Sequence, residues 1–305
     1  MKILLANPRG FCAGVRRAIT IVEQALETHG PPVYVYNEIV HNYYIVNHLT
    51  KLGVIFVKSI DEIPNNSVLI FSAHGVSQKI RKTVKKINPK ILLDATCPLV
   101  TKIHMEVKKA SRNGIEAIFI GHSNHPETQG TIGQYENSYG GIYVINSVND
   151  IYRLTLKNER KVNFMTQSTL SVDDTSTIIN KLRERFPYIS GPRKEDICYA
   201  TANRQAAVKI LAKHTELILV IGSQNSSNAN RLVEVVRGLG KKAKLIDSAE
   251  DINNDWLINI NYIGVTASAS APDILVEEVI EYLINLGNNS IVELIGRKEK
   301  ITFNL

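Results

Sequence analysis

Residues 91–100 read ILLDATCPLV. A short apolar run of strand character gives way to Asp94, Ala95 and Thr96, then to Cys97, and Pro98 stands where a helix would take its first residue. A strand, a turn carrying a polar or reactive group and a helix form the repeating unit of open parallel sheets, whose ligands collect beyond the carboxyl ends of the strands. The arrangement occurs twice more. Residues 7–15 read NPRGFCAGV after a strand-like run at 3–6, and residues 195–204 read EDICYATANR, so Cys12 and Cys198 also stand ahead of amphipathic stretches.

Outward from these turns, β-branched runs alternate with amphipathic segments along the whole chain, which predicts parallel sheets covered by helices. Strands are expected near 3–6, 33–36, 54–57 and 68–71, then near 91–93, 117–120, 142–145 and 162–165, and finally at Ile197, 217–221, 243–246 and 262–265. Helices are expected near 15–28, 42–52 and 78–87, after Pro98, Pro126 and Ser171, and from Ala202, Asn228 and Pro272. The recurrence predicts an α/β fold of three similar α/β domains with small, mainly parallel sheets, packed about a shared centre. Their bounds are 1–96, 97–193 and 194–305, the last carrying the C-terminal tail, with no Pro, Gly or Ser-rich linker between them.

A chain of 305 residues with 44% hydrophobic content can bury a core without disulfide support. The apolar run at the start is too short for a signal peptide, and no segment is long enough for a membrane span. Three cysteines far apart argue against a disulfide framework and for a reducing, cytoplasmic setting in which thiols can bind metal. The net charge of +7 raises nucleic acid as a partner. However, the basic clusters at 79–90 and 241–244 lack interleaved aromatics, so a solvated basic face is expected, and a small anionic substrate or an acidic redox partner fits the charge equally well.

A lone cysteine is more often a small buried apolar residue than a ligand, but three equivalent placements favour metal. Gly10 and Gly14 allow close backbone approach, and helix N-termini favour bound negative charge. Spacing leaves the metal open, since there is no C-x-x-C pair and no local zinc or ferredoxin signature. A four-iron cluster with three thiolates keeps one iron open as a Lewis acid, whereas zinc with three thiolates is the redox-silent alternative.

The other strand ends carry His41, His74, His122, His125, Ser168, Ser226, Ser227, Asn228 and Ser270. Helix capping accounts for such serines and asparagines singly, but together with helix N-termini they describe a pocket for phosphate or diphosphate oxygens. His29, His48, His104 and His214 fall in or at the ends of helices and are assigned to structure. Glu127, after His125 and Pro126, is the carboxylate of this rim best placed to act as an acid, and burial would raise its pKa above the usual value of about 4.3.

The motifs NPRGFCAGV, EIVHN, FSAHGVS, DATCPLVTK, GHSNHPE, MTQSTLSVDDT, GPRKEDICYATANRQ, GSQNSSNANRL and GVTASASAPD, in this order, resemble those of the 4-hydroxy-3-methylbut-2-enyl diphosphate reductase family. The resemblance spans the chain. It implies a pseudo-threefold cloverleaf around a [4Fe-4S] cluster held by Cys12, Cys97 and Cys198, whose fourth iron is open to the substrate hydroxyl. His41, His74, His125, Ser168, Ser226, Ser227, Asn228 and Ser270 would bind substrate, and Glu127 would take part in protonation. Two electrons and protons would remove water through an allyl intermediate protonated at either end, giving isopentenyl and dimethylallyl diphosphate, the last step of the methylerythritol phosphate pathway of isoprenoid biosynthesis. The implied electron donor is a flavodoxin or ferredoxin type protein, with neither nucleic acid nor membrane as a partner.

This chain departs from the family pattern in two places. Ser168 stands where threonine is usual, which predicts looser substrate orientation, and Ser268 stands where glycine is expected, which predicts a strained turn. The chain also stops soon after Phe303, where a longer tail is common, so closure over the site is expected to be weaker. Two other classes compete with the reductase reading: an iron–sulfur hydro-lyase needing no external electrons, and a metal-free anion or nucleic-acid binding module. No G-x-G-x-x-G fingerprint for direct nicotinamide binding is present.

Overall fold

The computed structural model describes residues 1–287 and 290–305. The first stretch of the chain forms β1 (Lys2–Leu5), α1 (Ala13–His29), β2 (Val33–Tyr36), α2 (Tyr43–Lys51), β3 (Val54–Val57), β4 (Val68–Phe71), α3 (Gln78–Ile87) and β5 (Ile91–Asp94). The middle forms α4 (Pro98–Arg112), β6 (Glu116–Ile120), α5 (Pro126–Ile132), β7 (Ile142–Ile145), α6 (Val148–Arg153), β8 (Val162–Thr166) and α7 (Val172–Arg185). The last stretch forms α8 (Tyr199–His214), β9 (Leu217–Ile221), α9 (Ser227–Gly238), β10 (Lys242–Ile246), β11 (Tyr262–Ala267), α10 (Asp273–Asn285) and β12 (Ser290–Glu293).

The expected α/β architecture is present as three small parallel sheets, ordered β3-β2-β4-β5, β7-β6-β8 and β10-β9-β11-β1-β12. The chain groups into two compact units. One comprises Met1–Arg16, His41–His48 and Tyr199–Thr302 and holds the five-stranded sheet; the other comprises Arg17–Val40, Leu49–Cys198 and Phe303–Leu305 and holds the other two. β4 and β9, inside their sheets, read as continuous apolar runs because both faces are covered. Every residue of β4, β6 and β9 is buried.

The strands are dealt out differently from their order in the sequence. β1 lies between β11 and β12, and β5 closes the sheet built on β2 and β4, because periodicity reveals a strand but not its partners. The strand expected at Ile197 is absent. On the edge of β8 away from β6, the described residues give an isolated bridge from Asn163 to Ser190, and at Thr166 the backbone N–H is taken by the Asp196 carboxylate at 3.0 Å instead of a further strand. The reading also missed β12, an exposed edge strand, and the short α6, which Ser147 and Asp150 close with a capping box.

α4 shows how the sequence sets a helix behind each cysteine. Pro98 supplies a fixed φ at the start, and Val100, Ile103, Val107 and Ala110 recur at helical spacing and are buried, the last three in one core cluster with Phe119 and Met165.

Candidate functional site

All three cysteines stand immediately before a helix: Cys12 before Ala13, Cys97 as the N-cap of α4, and Cys198 before Tyr199 of α8. Each is only partly buried and none is in a disulfide. Their backbones are pinned to neighbouring strand ends. The Cys12 N–H donates to the Ala269 carbonyl at 3.2 Å, that of Cys97 to Ala73 at 3.0 Å and that of Cys198 to Ser168 at 3.0 Å. The Cys12 Sγ also accepts the Val15 N–H at 3.5 Å, as a sulfur at a helix N-terminus can.

In the larger unit, Glu127 lies in the first turn of α5 and is 2% exposed. Ser168, at the end of β8, donates to it twice, from its N–H at 2.7 Å and from its Oγ at 2.8 Å. Burial pushes the Glu127 carboxyl up to about 7; the Ser168 bonds pull against it and the charge of Asp196 adds to it. The acid is therefore held between its two protonation states near neutrality. His125 caps the same helix, its Nδ1 accepting the Glu127 N–H at 3.2 Å, which makes Nε2 the donor nitrogen of the neutral ring. The ring of His74 meets that of His125 edge to face, centroids 5.8 Å apart, and its Nδ1 lies 3.2 Å from the Ser72 hydroxyl. Glu127, Ser168, His125 and His74 thus form one connected cluster.

His104 sits on α4, buried behind the loop that presents His74. Gly75 has φ +75°, and a Cβ there would come within 2.5 Å of the His104 ring, so glycine is required on two counts. Burial, with Arg81 and Lys108 nearby, lowers His104 to about 4, so the ring is neutral and structural, as its place in a helix suggested.

The smaller unit gathers the other predicted residues. Ser226 caps α9 and lies 3.4 Å from the Ser270 hydroxyl, which in turn donates to the His41 carbonyl at 2.9 Å. The Asn228 side chain accepts the Ala269 N–H at 2.9 Å and donates to Thr201 at 3.3 Å. Ser227 stands half-buried at the first position of α9. Such a set of hydroxyls, an amide and a helix N-terminus is suited to anionic oxygens.

One expectation about a departure from the family pattern changes here. Ser268 does not strain its turn. It is absent from the positive-φ residues, its N–H donates to Ile221 at 2.8 Å, and its buried hydroxyl lies 3.3 Å from that of Ser270. The space is made by Gly222, where a Cβ would stand 2.7 Å from the Ser268 Oγ. At Ser168, the other departure, the N–H and the hydroxyl both donate to Glu127.

Three supporting residues escaped the sequence reading. Arg204, fully buried, gives Nε and Nη2 to the Gly10 carbonyl at 3.0 and 2.6 Å and pairs with Glu299 at 3.0 Å, tying the loop before Cys12 to the C-terminal segment. Asp196, two residues before Cys198, pairs with Lys102 of α4 at 3.0 Å, which links the Cys97 helix to the Cys198 loop. Burial raises the Asp196 carboxyl above its usual range, against the bonds from Lys102 and Thr166. All three lie in quoted motifs, but no spacing rule marks a charged residue as buried.

Parallel sheets with a buried acid, imidazoles and helix-capping hydroxyls at the strand ends define an α/β enzyme. The family model of the LytB protein matches residues 3–284, and the chain belongs to that family. Among curated relatives, 4-hydroxy-3-methylbut-2-enyl diphosphate reductase of Hamiltonella defensa subsp. Acyrthosiphon pisum is 59% identical over 305 residues, covering 100% of this chain and 96% of the relative. The protein of the same name from Escherichia coli (strain K12 / DH10B) is 57% identical over 303 residues, covering 99% and 96%. The solved E-1-hydroxy-2-methyl-but-2-enyl-4-diphosphate reductase of Plasmodium falciparum superposes with a TM-score of 0.93 at 38% identity, covering 98% of this chain and 93% of that one.

Proposed function

We propose that this chain catalyses the two-electron reductive dehydroxylation of 4-hydroxy-3-methylbut-2-enyl diphosphate to isopentenyl and dimethylallyl diphosphate. The observation that carries the reading is Glu127, a buried acid poised near neutrality and hydrogen-bonded to Ser168 on a rim of histidines, in a chain of the LytB family. Among the described residues, no three His, Cys, Asp or Glu side chains gather as a single metal ion would need. What supports thiolate ligation by Cys12, Cys97 and Cys198 is their chemistry: each is a thiol outside any disulfide, partly exposed and set at a helix start. They would hold a [4Fe-4S] cluster, which when bound supplies the electrons and a Lewis-acidic iron.

The protein's own groups do the rest. His41, His74, His125, Ser226, Ser227, Asn228 and Ser270 bind the diphosphate, His125 through Nε2–H, and so fix the carbon skeleton and exclude water. Glu127 holds the proton. When Glu127 carries its proton on Oε2, the bond to Ser168 Oγ reverses, the carboxyl O–H donates to the serine oxygen, and the serine's own proton can pass to the departing oxygen. The C–O bond breaks, the hydroxyl leaves as water, and a second proton reaches either end of the allyl unit to give one product or the other. The setting proposed is a reducing cytoplasm, in which these thiols remain available; among the described residues no helix is long and apolar enough to cross a membrane.

The test is an anaerobic assay with the diphosphate substrate and a reduced one-electron dye. Both five-carbon products should form at a rate that depends on reductant, whereas conversion without reductant would point to a hydro-lyase.

A further inference from the structure

We infer that the outward stripe of α4 is the docking surface for the electron carrier, a small acidic one-electron flavin or iron–sulfur protein. The inference rests on the reductive reading above and adds a place to it. With the apolar side of α4 turned to the core, Thr101, Met105, Lys108, Lys109 and Arg112 line a groove of about 1120 Å³. Thr96 and Pro98, the two neighbours of Cys97 in the chain, line the same groove, as does Arg17. An acceptor of electrons held by Cys97 is thereby reached from a cationic surface.

Asp94 and Glu106 also line the groove, but Asp94 is paired with Arg81 and Glu106 with Lys102. Lys102 is committed to Asp196 and Glu106, but Lys108, Lys109 and Arg112 make no ion pair among the described residues. Burial, with the charges of Arg81 and Arg112, holds the Lys108 ammonium below its usual value against the opposing charges of Glu136 and Asp94. Met105, 64% exposed, stands among the cations as an apolar contact point. An adaptable apolar side chain ringed by cations matches a partner that is acidic around its exposed redox group. No aromatic residue lines the groove, as a surface that stacks nucleic-acid bases would require. The reaction needs such a partner. Per turnover two reduced carriers each lose one electron, two protons are consumed, one C–O bond breaks, one C–H bond forms and water leaves.

The test is the cluster-loaded, full-length Lys108→Glu/Lys109→Glu/Arg112→Glu variant, with Lys109→Gln/Arg112→Gln as a milder second variant should the first fail to fold. None of these residues belongs to the proposed catalytic or substrate-binding machinery. Turnover driven by reduced methyl viologen should stay at the wild-type level. The KM for a photoreduced acidic flavodoxin should rise at least about tenfold in the triple variant and about threefold in the double, with a flattened salt dependence. Titration of the oxidised flavodoxin, which needs no turnover, should show the same loss of affinity. Unchanged flavodoxin KM and affinity with intact dye activity would overturn the docking site alone. So would variants that lose only binding to single-stranded DNA, which would make the groove a polyanion site. Wild-type enzyme inert with the dye would instead sink the reductase reading, and the docking site with it.

Discussion

Glu127 and Ser168 act as one group, so changes at either should be read through the other. Glu127→Gln should retain the cluster yet lose about 10²–10⁴-fold in turnover, the range for one proton-transfer group; iron content and single-turnover rates check both halves. In the wild type, acid-dependent turnover should fall as pH rises through about 7, where the carboxyl loses its proton, and the glutamine variant should lack this limb. The Ser168 bonds lower the Glu127 pKa, so Ser168→Ala should move the limb upward while slowing turnover on the order of tenfold. Ser168→Thr keeps the hydroxyl and should be close to the wild type. At this scale the residues that gather around Glu127, namely Ser168, His125 and His74, were legible, because strand-end histidines, hydroxyls and one carboxylate announce themselves by position. The effect of Ser268 was not, since it depends on Gly222, a residue distant in sequence whose missing Cβ leaves the room.

At the scale of elements, helix starts carry the cysteines and buried ion pairs hold those starts in place. Asp196 is the fully buried member of its pair and Lys102 is a third exposed. Lys102→Met strands a buried carboxylate and should cost about 3–5 kcal/mol, whereas Asp196→Asn keeps the acceptor for Thr166 and releases Lys102 to solvent and Glu106, and should cost less. Denaturant unfolding of the two variants gives the order directly, and the reverse order would refute the link. Helices and central strands were read nearly to the residue, since periodicity and proline mark them. What escaped were pairings: β1 and β5 close sheets that their neighbours in sequence do not suggest, and at Thr166 the Asp196 side chain takes the N–H that an adjoining strand would have taken.

For the whole molecule, the buried acid couples folding to pH. The folded-state pKa of Glu127 is raised from 4.5 to about 7, so its folded form binds the proton more tightly than the unfolded chain. Its contribution is fully present below about 4.5 and is lost as pH rises through 7, a change on the order of 3 kcal/mol. Glu127→Gln, which cannot ionise, should therefore gain in melting temperature relative to the wild type between pH 5 and pH 8; an unchanged difference would contradict the raised pKa. In the proposed reaction, the same burial that costs stability at alkaline pH would keep a proton at hand. The central claim is that three distant cysteines serve one reductive centre, and anaerobic reconstitution followed by iron and sulfide analysis and the dye-driven assay tests it most directly. Wild type should take up about four irons and four sulfides per chain and form both isomeric diphosphates, while Cys12→Ser, Cys97→Ser and Cys198→Ser should each impair loading and turnover together. Full iron content in all three variants, or a loaded wild type that does not reduce the substrate, would contradict it.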